Sequence, residues 1–164
     1  MFVRVALIPA IIQDGYPFYW TLLTYTFLHA DFGHALINSA MILAVGAGVA
    51  RMTGGGVFLA IFLLSSLGGG LAIFFLSAPS APTIGASGGL SGLIGAAAVL
   101  LYRYRDTDPR ARMMGAMVAI VVVMNLGLAL TGGGGISWQG HIGGLLAGIV
   151  YGYAALGRNP AAGR

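Results

Sequence analysis

Five apolar stretches, at roughly 34–50, 57–77, 84–102, 113–131 and 136–157, fill most of this 164-residue chain, and each is close to bilayer-spanning length. An α-helix rises 1.5 Å per residue, so about 20 residues cover the ~30 Å hydrocarbon layer. Inside lipid a backbone must satisfy its own hydrogen bonds, which for segments of this length means helices. The expected fold is therefore an all-α integral membrane protein, a single domain with five transmembrane helices. The first stretch is short and is expected to extend outward through His29. Only 7% of the residues are charged, against ~25% in a soluble domain, so the connections leave no room for a second, water-soluble unit.

Residues 1–33 are different in character. Tyr16, Phe18, Tyr19, Trp20 and Tyr25 are mixed with polar groups in the manner of an interfacial belt, so this segment is expected to lie along the membrane surface as a lead-in. Pro9 and the lack of a small-residue cleavage site after a long apolar core argue against a signal peptide. The chain has no cysteine, which removes disulfides, thiolate metal sites and a cysteine nucleophile together.

The net charge of +4 comes from eight arginines and four aspartates. A basic balance in a soluble protein suggests nucleic acid; here the charges sit between apolar runs, and no nucleic-acid partner is expected. Arg51, Arg103, Arg105, Arg110, Arg112, Arg158 and Arg164 share one side if the five spans alternate. The positive-inside rule makes that side cytoplasmic. The lead-in, the 77–83 loop and the 131–135 loop, whose Gly132–Gly135 run reads as flexible, then face outward. The arginine loops also suit contacts with anionic lipid.

Ionisable groups within spans are costly and become functional candidates. His29 and His34 flank the outer start of the first span, and His141 lies near the outer start of the fifth. Asn38 follows His34 at i+4, on the same face and one turn deeper. Ser87 lies near the outer end of the third span, within Gly85-Ala86-Ser87-Gly88. Three helices thus bring a serine, two histidines and an asparagine to one level. A serine beside a histidine has a base for its proton, the minimum for nucleophilic catalysis. Gly140, Gly144, Gly148 and Gly152 on the last span, and Gly85, Gly89 and Gly88, Gly92 on the third, repeat every four residues and favour close helix approach. Asp106 and Asp108 fall in a cytoplasmic loop and Asp14 and Asp31 in the lead-in, so a Ser-His dyad is expected rather than a triad with aspartate. His34 and Asn38 could donate hydrogen bonds to an oxyanion, with the Ser87 N–H.

The run Phe27-Leu28-His29-Ala30-Asp31-Phe32-Gly33-His34, then Asn38, then Gly85-Ala86-Ser87-Gly88, then Gly140-His141-Ile142-Gly143-Gly144-Leu145-Leu146-Ala147-Gly148 together resemble the rhomboid family, from about Leu22 to Gly152. The resemblance implies a rhomboid-like helical bundle and an intramembrane serine protease that cuts transmembrane protein substrates. Ser87 would be the nucleophile, His141 the general base, and His34 and Asn38 the oxyanion donors. It implies no cofactor or metal, and a site open to the outside of a bacterial plasma membrane. The family core has six spans, with the His34–Asn38 segment on the second. It lies on the first here, which implies a chain beginning just after the family's first helix. Ser91 stands where the family commonly has an aromatic against the catalytic histidine. It also creates a second Gly-x-Ser-Gly, at Gly89-Leu90-Ser91-Gly92, though Ser87 is one turn nearer the outer surface.

Blander readings exist for each residue. A lone membrane serine often bonds back to its own helix. His29 is expected to be structural, satisfied by Thr24 or the backbone, and the His29–His34 spacing offers no helical carboxylate for zinc. A rhomboid-like protein that binds membrane clients without cutting them is the alternative class. A small transporter would need buried charge or broken helices at mid-membrane, and the spans contain no such charge. Oligomeric state is not legible.

Overall fold

The computed structural model describes residues 4–130 and 137–156; the 131–135 connection, Arg158 and Arg164 lie outside them. Two short helices, α1 (Pro9–Gln13) and α2 (Thr21–Thr24), lie in the lead-in, the second running on as a 3₁₀ turn through Tyr25–Phe27. Five long helices follow: α3 (Phe32–Thr53), α4 (Gly55–Leu76), α5 (Ser87–Tyr104), α6 (Pro109–Leu130) and α7 (Trp138–Leu156). Both α3 and α4 are long and apolar enough to cross a membrane. Among the described residues the β-type pairing is confined to one isolated bridge, Leu7 to Thr83.

Local chemistry sets the ends of these helices. Asp31 is extended, and its carboxylate accepts the His34 N–H at 2.8 Å, capping α3 at one of its orphan amides. His29 therefore precedes α3 instead of extending it, because the Asp31 cap fixes the start at Phe32, three residues later. At the other end Gly54 takes φ +91°, a conformation only glycine adopts freely, and α4 starts at once on the return path. Asp108 receives the Arg110 N–H at 2.9 Å just before Pro109 opens α6.

Packing follows residue size. α5 is the centre of the bundle, with α4 and α7 against one side and α3 and α6 against the other. Towards α3 and α6 the contact is aliphatic, with Met41, Val45, Val49, Leu93, Leu100, Met114 and Val121 buried together. Towards α7 it is glycine on glycine. A methyl built on Gly144 would collide with the Gly88 carbonyl, and one on Gly148 with that of Gly92; Gly152 sits over Ala96. Gly89 differs from the even-spaced expectation, since it turns to Phe62 and Ser66 of α4. Outward faces carry large apolar groups such as Leu43, Phe75, Val123 and Val150. A small-residue interior under an apolar exterior is the order that lipid imposes.

The lead-in is partly internal. Ala6, Leu7, Thr21, Tyr25 and Thr26 are buried, while Tyr16, Tyr19 and Trp20 stay exposed. Leu7 and Thr83 exchange two backbone hydrogen bonds, of 2.9 and 3.1 Å, and the Ala10 N–H donates to Pro79 at 2.8 Å. This ties the lead-in to the loop before α5. Tyr25 leaves the expected aromatic belt because its hydroxyl finds a buried acceptor, the Ser66 carbonyl, at 2.9 Å.

Arg51, Arg103, Arg105, Arg110 and Arg112 lie at one end of the bundle, where α3 and α5 finish and α6 begins, whereas Arg4 lies in the lead-in. His34 and Ser87 open those same helices at the other end, so 16 residues of α5 place Ser87 about 24 Å from Arg103.

Candidate active site

Ser87 is the first residue of α5, after Ala86 at the N-cap, which offers no side-chain cap. The first bond of the helix runs from the Leu90 N–H to the Ala86 carbonyl, at 3.0 Å. The amides of Ser87 and Gly88 therefore have no partner within the helix, and they stand at the positive end of its dipole. Just before them Gly85 adopts φ +125°, which side-chain-bearing residues rarely reach, and its N–H donates to Tyr25 at 3.0 Å. A Cβ there would lie 3.1 Å from His34 Cε1, 3.3 Å from Nε2 and 4.0 Å from Ser87 Oγ. The imidazole edge and the serine hydroxyl thus border the same small space above Gly85.

His34 is held from behind. Asp31 receives its backbone N–H, and Nδ1 accepts a long bond of 3.5 Å from the Ala30 N–H. A neutral ring that accepts at Nδ1 carries its proton on Nε2, the edge turned to Gly85. Asn38 is buried one turn deeper, and its amide donates to the His34 carbonyl at 3.0 Å. That bond takes one of two amide hydrogens.

His141 lies in the first turns of α7, its N–H bonded to the Ser137 carbonyl at 3.1 Å. Its ring borders a cavity of about 220 Å³ with Ser91, Ile94, Val122, Ile142 and Leu145. The structure therefore groups Ser87 with His34, and His141 with Ser91. Among the described residues the Ser87 hydroxyl is not hydrogen-bonded to the His141 ring. What joins the two halves is the backbone. Gly88 lies between Gly140 and Gly144, and a Cβ on Gly88 would be 3.4 Å from the Gly140 carbonyl oxygen. The residue after Ser87 thus stands beside the residue before His141, with room for no more than a Cβ between them. In a resting site the bond between nucleophile and base is often long and tightens with substrate.

His29 stands edge-on to His34, ring centroids 5.1 Å apart. Its Nε2 is buried without a hydrogen-bond partner among the described residues. The expected partner is committed elsewhere, since the Thr24 hydroxyl donates to Val5 at 2.9 Å. Burial, and then the neighbouring His34, hold the His29 imidazole below its ordinary range. Among the described residues no third histidine or carboxylate joins the pair to form a metal-binding group.

Two supporting residues escaped the sequence reading. Asp31 reads as a lead-in charge, but an Asp just before an apolar helical run is itself a cap signal. Tyr25 gave no comparable signal.

A family model described as the rhomboid domain matches residues 17–158. The rhomboid protease GluP of Bacillus subtilis (strain 168) is 36% identical over 139 residues, 85% of this chain and 26% of that protein. Rhomboid-like protease 1 of Toxoplasma gondii is 34% identical over 148 residues, 88% of this chain and 49% of that protein. A chloroplastic RHOMBOID-like protein 9 of Arabidopsis thaliana is 30% identical over 135 residues, 82% and 31% of the two chains. The chain thus spans about a quarter to a half of the length of these relatives.

Proposed function

The chain belongs to the rhomboid family of helical membrane proteins, and we propose that it is an intramembrane serine endopeptidase with Ser87 as nucleophile and His141 as general base. The observation that carries this reading is the glycine contact of α5 on α7, which sets the residue after Ser87 against the residue before His141. Two of the relatives above bear names that call them proteases, which supports the same activity class.

The chemistry follows from the side chains. As Ser87 Oγ attacks the scissile carbonyl carbon, the His141 imidazole takes its proton. The carbonyl oxygen becomes an oxyanion facing the unpaired Ser87 N–H at the head of α5 and the His34 Nε2–H, with the second Asn38 amide hydrogen as a further donor. Collapse of the tetrahedral intermediate breaks the C–N bond, and the departing amine takes the proton from His141. Water, deprotonated by His141, then hydrolyses the acyl-Ser87 ester and restores both residues. No step requires a cofactor.

The substrates are transmembrane proteins whose scissile bond reaches the end of the bundle that carries Ser87. Residues 1–164 form one membrane domain with five spans and an interfacial lead-in. The arginine-bearing end faces the cytoplasm, and the site opens to the external side of a bacterial plasma membrane.

Reconstitution in liposomes with a single-span substrate tests the proposal. Ser87→Ala and His141→Ala should abolish cleavage, and Ser91→Ala should retain it. Normal cleavage by Ser87→Ala would refute the assignment. Substrate bound but uncut by the wild type would identify a non-catalytic client-binding member instead.

A further inference from the structure

We infer that Tyr25 is a positioning residue for the Ser87–His141 pair, an inference that rests on the protease reading above. The residue is 2% exposed and engaged at both ends. Its carbonyl accepts the Gly85 N–H at 3.0 Å, two residues before Ser87. Its hydroxyl donates to the Ser66 carbonyl of α4 at 2.9 Å. The same oxygen presses on two glycines: a Cβ would lie 2.8 Å from it at Gly88 and 2.9 Å at Gly69. The Gly140 carbonyl oxygen borders both positions, at 3.4 and 2.8 Å.

One phenol oxygen therefore fills the junction of α4, α5 and α7. It touches the residue that follows Ser87 and lies beside the residue that precedes His141. Burial raises the pKa of the hydroxyl, so it remains a neutral donor at working pH. The neighbouring Thr26 hydroxyl also ties the lead-in to α4, through Ser66 Oγ at 3.2 Å, but among the described residues its bond is to Ser66 alone. Thr26 thus holds the lead-in in place, whereas Tyr25 also sets the spacing between the serine and histidine helices.

The test uses the reaction rate of a fluorophosphonate with the full chain in liposomes, normalised to folded protein. Displacing a reacting group by 1 Å costs about a hundredfold, and removing a single oxygen permits a smaller shift, so Tyr25→Phe should slow labelling about tenfold. Gly88→Ala places a methyl 2.8 Å from the phenol oxygen, a contact too close to keep, and should slow it about a hundredfold. Because Tyr25→Phe removes that oxygen, the double variant should label about tenfold faster than Gly88→Ala alone. Thr26→Val should melt earlier yet label at the wild-type rate.

A double variant no faster than Gly88→Ala, or Tyr25→Phe at the wild-type rate, would overturn the inference. So would a Thr26→Val slowed as much as Tyr25→Phe, which would mean general loosening of the lead-in. The comparison of the two Gly88 variants stands even if Tyr25→Phe alone folds poorly. Ser87→Ala separates the two levels: persistent labelling sinks the protease reading itself, whereas lost labelling with failed Tyr25 criteria sinks only the positioning role.

Discussion

Gly144→Ala should disable the site without touching any reacting group. The added methyl would meet the Gly88 carbonyl, a main-chain atom that cannot rotate away. Restoring a contact of ~3.5 Å between those atoms requires α5 and α7 to part by about 1.5 Å. Overpacking of this kind costs ~1–3 kcal/mol of stability. The larger effect falls on geometry, because Ser87 rides on α5 and His141 on α7. A misplacement of about 1 Å costs on the order of a hundredfold in rate, or ~2.7 kcal/mol of activation energy. The control is Gly56→Ala at the start of α4, where an added methyl meets nothing within 4 Å. Fluorophosphonate labelling per folded molecule and the melting temperature are read side by side. If Gly144→Ala labels as fast as Gly56→Ala and melts with it, the close α5–α7 contact does not set the Ser87–His141 geometry.

His34→Ala should lower the cleavage rate by ~10²–10³ with little change in KM, since it removes an oxyanion donor; a change confined to KM would assign His34 to substrate binding. Asp31→Ala removes the α3 cap and should cost ~1 kcal/mol, lowering the melting temperature by ~2–4 °C; an unchanged melting curve would show that the bond to the His34 N–H adds nothing to stability. His29 gives a pH dependence: unfolded, it binds a proton near pH 6.5, whereas the folded form, with its depressed pKa, does so only at lower pH. Its contribution is fully present above ~6.5 and is lost as pH falls towards the folded value, so the drop in melting temperature from about pH 8 to about pH 5 should be smaller in His29→Gln than in wild type. Equal drops would refute it.

The helical architecture was legible because apolar runs of spanning length leave the backbone few alternatives. The glycine spacing also foretold a close α5–α7 approach, and Gly144 on Gly88 and Gly148 on Gly92 carry it. What spacing could not reveal is which face each glycine turns to, and Gly89 belongs to α4. Tyr25 was illegible for a different reason. An aromatic near a membrane boundary fits either an interfacial belt or a buried hydrogen bond, and only the position of Ser66 decides between them. His29 likewise depended on a long-range competitor, Val5, which claims the Thr24 hydroxyl. The candidate residues were legible as types at one level of the bundle. Their pairing depends on side-chain direction, which places Ser91 and not Ser87 on the cavity beside His141.

That pairing makes the site of covalent modification the decisive observation. The chain in liposomes is treated with a fluorophosphonate and digested, and the modified residue is identified by mass spectrometry. The account predicts a single adduct on Ser87, lost in His141→Ala and unaffected by Ser91→Ala. An adduct on Ser91, or one on Ser87 that forms equally fast without His141, would contradict it.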